Sequence, residues 1–187
     1  MKLNSKRTIL VGLAFLSICA FWQMYDSIVP LILTKTFHMN ETFSGAIMAA
    51  DNILALFLLP FFGSVSDKSH TKIGKRMPFI LFGTGCAIIL MNILPLLDNS
   101  YAAQPSGFKT ASFVIVLGLL LVAMGTYRAP AVALMPDVTP KPLRSRANAI
   151  INLMGAVGGI LYLGVAAVLY PNSKTAGLDH VNYQPLF

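Results

Sequence analysis

Residues 63–76 read Gly63-Ser64-Val65-Ser66-Asp67-Lys68-Ser69-His70-Thr71-Lys72-Ile73-Gly74-Lys75-Arg76, and apolar runs of about twenty residues flank them, 43–62 before and 77–97 after. A hydrocarbon core of ~30 Å takes about 20 helical residues at ~1.5 Å each. Each flanking run therefore has the length of one crossing. The four cations between them cannot be pulled through a bilayer, so the stretch predicts a pair of transmembrane helices joined by a short basic connection.

Working outward, the same length criterion adds three runs, at 8–33, 111–135 and 147–170. Their length and the lack of period-2 alternation favour helices over barrel strands. The predicted fold class is all-α, a polytopic membrane protein with five transmembrane helices. Composition agrees: of 187 residues, 56% are apolar and 11% are Asp, Glu, Lys or Arg, against about 25% charged in soluble domains. That excludes a cytosolic enzyme, a disordered tail and a disulfide-stapled secreted domain. Cys19 and Cys86 lie inside apolar runs without metal-site spacing, so no metal site is expected. Cleavage before Cys19 is disfavoured because Ile18 is not a small residue and the apolar run continues to Leu33.

The formal charge of +7 is a topology signal. Lys2, Lys6 and Arg7 precede the first span, Lys68, Lys72, Lys75 and Arg76 fill the second connection, and Lys141, Arg144 and Arg146 fill the fourth. Lys35, Lys109 and Lys174 lie on the other side. The positive-inside rule then places the N-terminus in the cytoplasm, in a multi-pass protein of the cell membrane. No nucleic-acid partner is expected, since the basic residues are spread over three loops with no recognition fold behind them. Residues 171–187 read as an outer-side loop with no sixth span.

Polar groups at membrane depth are costly, and each is a functional candidate. Gln23, Asp26, Ser27 and Pro30 share one face of the first helix, and Ser44, Met48, Asp51, Asn52 and Ala55 form a stripe on the second. Arg128 lies on a face with Met124 and Gly125 in the fourth, and Asn148, Asn152, Gly155, Gly159 and Tyr162 align on the fifth. This is the pattern of four helices around a water-accessible cavity. Counting from span centres at ~1.5 Å per residue puts Asp51 ~2 Å outside the midplane, Arg128 ~6 Å inside it and Asp26 ~8 Å outside it. The expectation is that Asp51 holds Arg128 in one state while Asp26 meets solute or proton. The competing reading is a structural ion pair that fixes helix register. Gly155-Ala156-Val157-Gly158-Gly159 reads as a small-residue surface for close helix packing.

The stretch from Gly63 through Asp67 to Gly74-Lys75-Arg76 resembles the loop between the second and third helices of the major facilitator superfamily. Tyr127-Arg128-Ala129-Pro130, Met135-Pro136-Asp137, and Arg144-Ser145-Arg146-Ala147-Asn148-Ala149 resemble the fourth helix, basic loop and fifth helix of its glycoside–pentoside–hexuronide cation symporters and sucrose–proton symporters. The resemblance implies two six-helix halves rocking around a midplane site, of which residues 1–187 would be an incomplete N-terminal half, with the C-terminal half as the missing partner. It implies a gating role for Gly63, Asp67, Gly74, Lys75 and Arg76. Melibiose-type sodium symporters carry acidic residues where this chain has Ala55, Leu59 and Arg128. Protons therefore become the expected coupling ion, with Asp26 or Asp51 as carrier.

The expected function is the N-terminal portion of a carrier moving a sugar or glycoside by alternating access. Gln23, Asp26, Asn52, Arg128, Asn148 and Asn152 would bind the solute, with Trp22 or Tyr25 stacking on its ring. A carrier of a drug or organic anion, or a truncated non-transporting membrane fragment, are the alternatives. No connection offers a catalytic dyad or a phosphate-cradling glycine run, so neither an enzyme nor a cofactor is expected.

Overall fold

The computed structural model describes residues 5–175 and 177–187, with the side chains of residues 5–7, 172 and 174 also left undescribed. The predicted cytoplasmic cation Lys2 lies outside the described residues. Five long helices dominate: α1 Ser5–Leu31, α2 Glu41–Lys68, α3 Met77–Ala103, α4 Gly107–Val138 and α5 Arg144–Leu169. A π-helical turn, Ile32–Thr36, extends α1, and a 3-10 turn, Lys141–Leu143, leads into α5. After α5 come the single turn α6 Asn172–Thr175 and a 3-10 turn, Gln184–Leu186. Among the described residues there is no strand.

All five long helices are long and apolar enough to cross a membrane. Three of the predicted runs fall wholly inside them; 8–33 continues two residues past α1 into the π turn, and 147–170 ends one residue past α5, at Tyr170. The helices overrun the apolar runs because polar residues continue the hydrogen-bond ladder beyond the hydrocarbon. α2 starts at Glu41, where the Asn40 side chain accepts from the Thr42 amide at 3.0 Å, satisfying one of the orphan donors of a helix start. It ends at Lys68, so Gly63 and Asp67 belong to the last turns of a helix and not to a connection. A Cβ on Gly63 would meet nothing within 4 Å, so no close helix approach requires a glycine there. Gly74 sits at φ +106°, a left-handed conformation that side chains disfavour, and it turns the chain into α3.

Lipid tails are as apolar as leucine, so helix association in a bilayer rests on close contact. The most extensive contacts are α1 with α5 and α3 with α4, followed by α2 with α4. The α1–α5 contact is made by glycines. A methyl group at Gly158 would collide with the Leu16 backbone, and one at Gly155 would lie 2.8 Å from Cys19 Sγ. Gly83 presses α3 on α4 in the same way, since a methyl group there would lie 2.9 Å from the Tyr127 amide nitrogen. Tyr127 then ties α4 to α1, its hydroxyl 3.1 Å from the Ala14 carbonyl and 2.9 Å from Ser17 Oγ.

The main core lies toward the end opposite the basic connections, where Tyr25, Val29, Ile32, Leu33, Leu94, Phe113 and Leu120 are fully enclosed. Pro30 interrupts α1 there, and Thr34 donates to the Pro30 carbonyl at 2.8 Å. The π turn follows, with the Phe37 amide reaching back five residues to the Ile32 carbonyl at 3.1 Å. A smaller cluster of Val11, Met135, Ala147 and Ile151 closes the basic end. By contrast, α2 has no buried residue in its most apolar stretch, and Leu56 and Phe57 lie open on it.

Candidate functional site

α1, α2 and α4 converge on Arg128. Its guanidinium carbon stands 5.2 Å from the centroid of the Trp22 ring, a cation–π contact of about 0.5–2 kcal/mol depending on desolvation. The cleft around it is lined by Trp22, Asp51, Ala55, Leu59, Gly125 and Arg128, among others. Gly125 matters because its absent side chain leaves room for Leu58, 3.3 Å from where a Cβ would stand. About 10 Å³ of free space remains in this cleft, roughly the least that holds one water. No solute fits there until the helices part.

The expected ion pair between Arg128 and Asp51 is not formed. Both line the cleft, but the guanidinium leans onto the indole of α1, and Asp51 accepts from the Asn52 side chain at 2.9 Å. Helical periodicity gives the face of a side chain but not the neighbour it chooses. Asp26 is exposed and lies within electrostatic range of Asp51. Gln23 donates to Ser27 at 3.2 Å, and its oxygen comes 3.6 Å from a Cβ placed on Gly159. Asn52 is exposed. Tyr25 is wholly buried, and its hydroxyl and the Trp22 indole N–H have no hydrogen-bond partner among the described residues.

Asn148 and Asn152 do not join this group. They line a second cleft of about 480 Å³ with Phe15, Pro136, Arg144 and Ser145, a size within the ~300–1,000 Å³ of small-molecule sites. The predicted single cavity is therefore two clefts on the described bundle, a closed one at Arg128 and an open one between α4 and α5. Arg144 borders the open cleft while bonding the Pro136 and Thr139 carbonyls at 2.9 and 3.3 Å. A cation is favoured at a helix C-terminus, where those carbonyls lack amide partners.

At the basic end, the loop residues form a clamp. Arg76 is buried, with Nη2 2.8 Å from Asp67 Oδ1 and Nε 2.5 Å from Asp137 Oδ2. Lys75 Nζ lies 3.8 and 3.7 Å from the same two carboxylates. The clamp thus fastens the ends of α2 and α3 to the end of α4. Asp137, quoted above only as part of the resemblance, is the clamp residue to which sequence reasoning gave no role. The available signal was an acid alone in a basic connection, directly after Pro136. His70 is exposed.

A family model described as Major Facilitator Superfamily matches residues 11–175. The chain is 34% identical over 158 residues to the sucrose transport protein SUC3 of Arabidopsis thaliana, covering 78% of this chain and 26% of that protein. It is 34% identical over 154 residues to the sucrose transport protein SUT3 of Oryza sativa subsp. indica, covering 75% and 30%. With the SUT1 protein of Oryza sativa subsp. japonica the figures are 27% over 169 residues, 83% and 31%. The chain thus spans between a quarter and a third of the length of these relatives. No solved structure matches it significantly.

Proposed function

Because the chain belongs to the major facilitator superfamily, we propose that it forms the N-terminal transmembrane portion of a carrier that moves a sugar or glycoside by alternating access. The names of its relatives support the solute class. The observation that carries the reading is the guanidinium of Arg128, held on an indole face and free of any ion pair among the described residues. Such a group keeps its five N–H donors available for hydroxyls, and the adjacent indole offers an apolar face for a sugar ring. Gln23, Asp26, Asn52, Asn148 and Asn152 supply further polar contacts as the two clefts merge on opening, and the clamp of Asp67, Arg76 and Asp137 gates the basic end.

The proposed coupling ion is a proton. The positions that hold carboxylates in melibiose-type carriers are Ala55, Leu59 and Arg128, and all three line the closed cleft. Asp51 on that cleft and Asp26 beside it are the proposed carriers. The basic end faces the cytoplasm, residues 171–187 lie on the outer side of the cell membrane, and the second half of the carrier completes the cavity. A second reading, an organic anion as solute, draws on the same unpaired guanidinium, which would bind a carboxylate.

Trp22 is the one tryptophan of the sequence and touches Arg128, so its fluorescence reports the site. Saturable change with sucrose or another neutral glycoside, lost in Arg128→Ala, is the expected result. A response to organic anions with none to neutral sugars would transfer the assignment to the second reading. For the coupling ion, uptake by cells making the carrier should follow an imposed pH gradient; stimulation by sodium without any pH response would refute proton coupling.

A further inference from the structure

At the end of the bundle opposite the basic connections, Asp98 of α3 is completely buried, and neither carboxylate oxygen has a hydrogen-bond partner among the described residues. Carboxylates are rarely buried in that state, because desolvation is uncompensated. The nearest ionisable partner is His180, whose Nδ1 lies 3.8 Å from Asp98 Oδ2. His180 belongs to the segment 177–187, which folds back on the bundle and buries Val181, Tyr183 and Leu186.

The hydrogen-bond pattern decides which histidine nitrogen carries the hydrogen in the neutral ring. The Gln184 amide donates to Asn182 Oδ1 at 3.0 Å, so that atom must be the amide oxygen. The group of Asn99 that meets Asn182 Oδ1 at 3.0 Å is then its NH2, which turns Asn99 Oδ1 toward His180 Nε2, also at 3.0 Å. Nε2 must carry a hydrogen to donate there. Nδ1 is the other ring nitrogen, and it faces Asp98 and the Thr36 hydroxyl, the latter 3.3 Å away. Thr36 lies beside the carboxyl without satisfying it.

Other ionisable groups surround the pair. Tyr183, from the same segment, has its phenol pushed above the usual range by burial and by the charge of Asp98, and stays neutral. Lys109 of α4 is engaged on the Ser100 and Gln104 carbonyls at 2.7 and 3.0 Å. Lys35, His38 and Asp179 are exposed.

We propose that Asp98 and His180 form a proton-binding site, and that its single proton latches segment 177–187 over the ends of α1 and α3. With the proton present, imidazolium and carboxylate offset one another. When it leaves to water, a bare carboxylate remains in a buried site beside a neutral ring, and the charge is hydrated by releasing the segment. The site is separate from Arg128 and does not depend on which solute is carried.

Hydrogen exchange of the chain in lipid nanodiscs tests this. The Leu186 and Phe187 amides, bonded to the Tyr183 and Gln184 carbonyls, are the reporters, with rates corrected for intrinsic base catalysis. Between about pH 5 and about pH 8, where histidine changes charge, their opening constant should rise by up to about tenfold per pH unit. Asp98→Asn should keep the segment protected throughout, and His180→Gln should leave it open near neutrality. A flat wild-type profile, or the same pH dependence in Asp98→Asn, would overturn the proposal. If Asp98→Asn also loses protection in α1 and α5, His180→Gln decides: wild-type protection with an unchanged profile overturns the latch.

Discussion

Gly158→Ala is the sharpest probe of how the bundle holds together. Its new methyl group would stand 2.9 Å from the Leu16 carbonyl carbon and 3.0 Å from its Cα, closer still to the carbonyl oxygen. Ordinary Cβ contacts begin at 3.4 Å, so the two helices must part by about half an ångström or more. The obstacle is backbone, which cannot rotate aside. Overpacking of this kind costs about 1–3 kcal/mol, and alanine returns up to about 1 kcal/mol of helix propensity. A net loss of about 1–2 kcal/mol follows.

Two further glycines calibrate the argument. At Gly155 the obstacle is Cys19 Sγ at 2.8 Å, the end of a side chain that can turn, so Gly155→Ala should lose less than about 1 kcal/mol. At Gly164 a Cβ would meet nothing within 4 Å, and Gly164→Ala should be neutral or stabilising. Unfolding by SDS titration in mixed micelles, followed by loss of helical circular dichroism, gives the three midpoints. The expected order of damage is Gly158, then Gly155, then Gly164. A Gly158→Ala midpoint at or above wild type would refute the claim that close α1–α5 approach holds the fold.

Tyr127→Phe removes the hydroxyl that meets Ala14 and Ser17 and should cost about 0.5–1.5 kcal/mol in the same titration, with Ser17→Ala adding little on top. Arg76→Gln strips the clamp of its central cation; since Asp67 is more than half exposed and Asp137 about a third, the loss should be about 1–3 kcal/mol, below the full penalty of a buried pair. A double-mutant cycle of Arg76→Gln with Asp137→Asn should return a coupling of at least about 0.5 kcal/mol, and strict additivity would contradict the contact.

Much of this architecture is legible in the sequence because the bilayer fixes a length scale. Runs at 43–62 and 77–97 can hardly be anything but crossings. The helix ends are less legible, since Glu41 and Gly63–Lys68 continue a helix through residues that composition assigns to loops. Gly155 and its neighbours read correctly as a packing surface, but periodicity could not choose α1 as the partner, nor Gly158 over Gly159 as the point of closest approach. Arg128 was visible as an intramembrane cation. Its resting place on Trp22 was not, because a guanidinium between a carboxylate and an indole on different helices settles by tertiary geometry. The role of Asp137 was missed for a related reason: its partners, Arg76 and Lys75, are some sixty residues away in sequence. The folding back of residues 177–187 left no periodic signature at all.

The π-helical turn at Ile32–Thr36 has a consequence of its own. A π turn amounts to one surplus residue in an α-helix, and one residue corresponds to about 100° of rotation at 3.6 residues per turn. Everything beyond it is out of phase with the body of α1. That offset is what lets Thr36 point at His180 while Phe37 stacks between Tyr101 and Phe113. A point substitution there would leave the phase intact. Deleting one residue, the exposed Lys35 for instance, would restore the ordinary winding and swing Thr36 and Phe37 away together. For this end of the helix, chain length carries more structural information than residue identity.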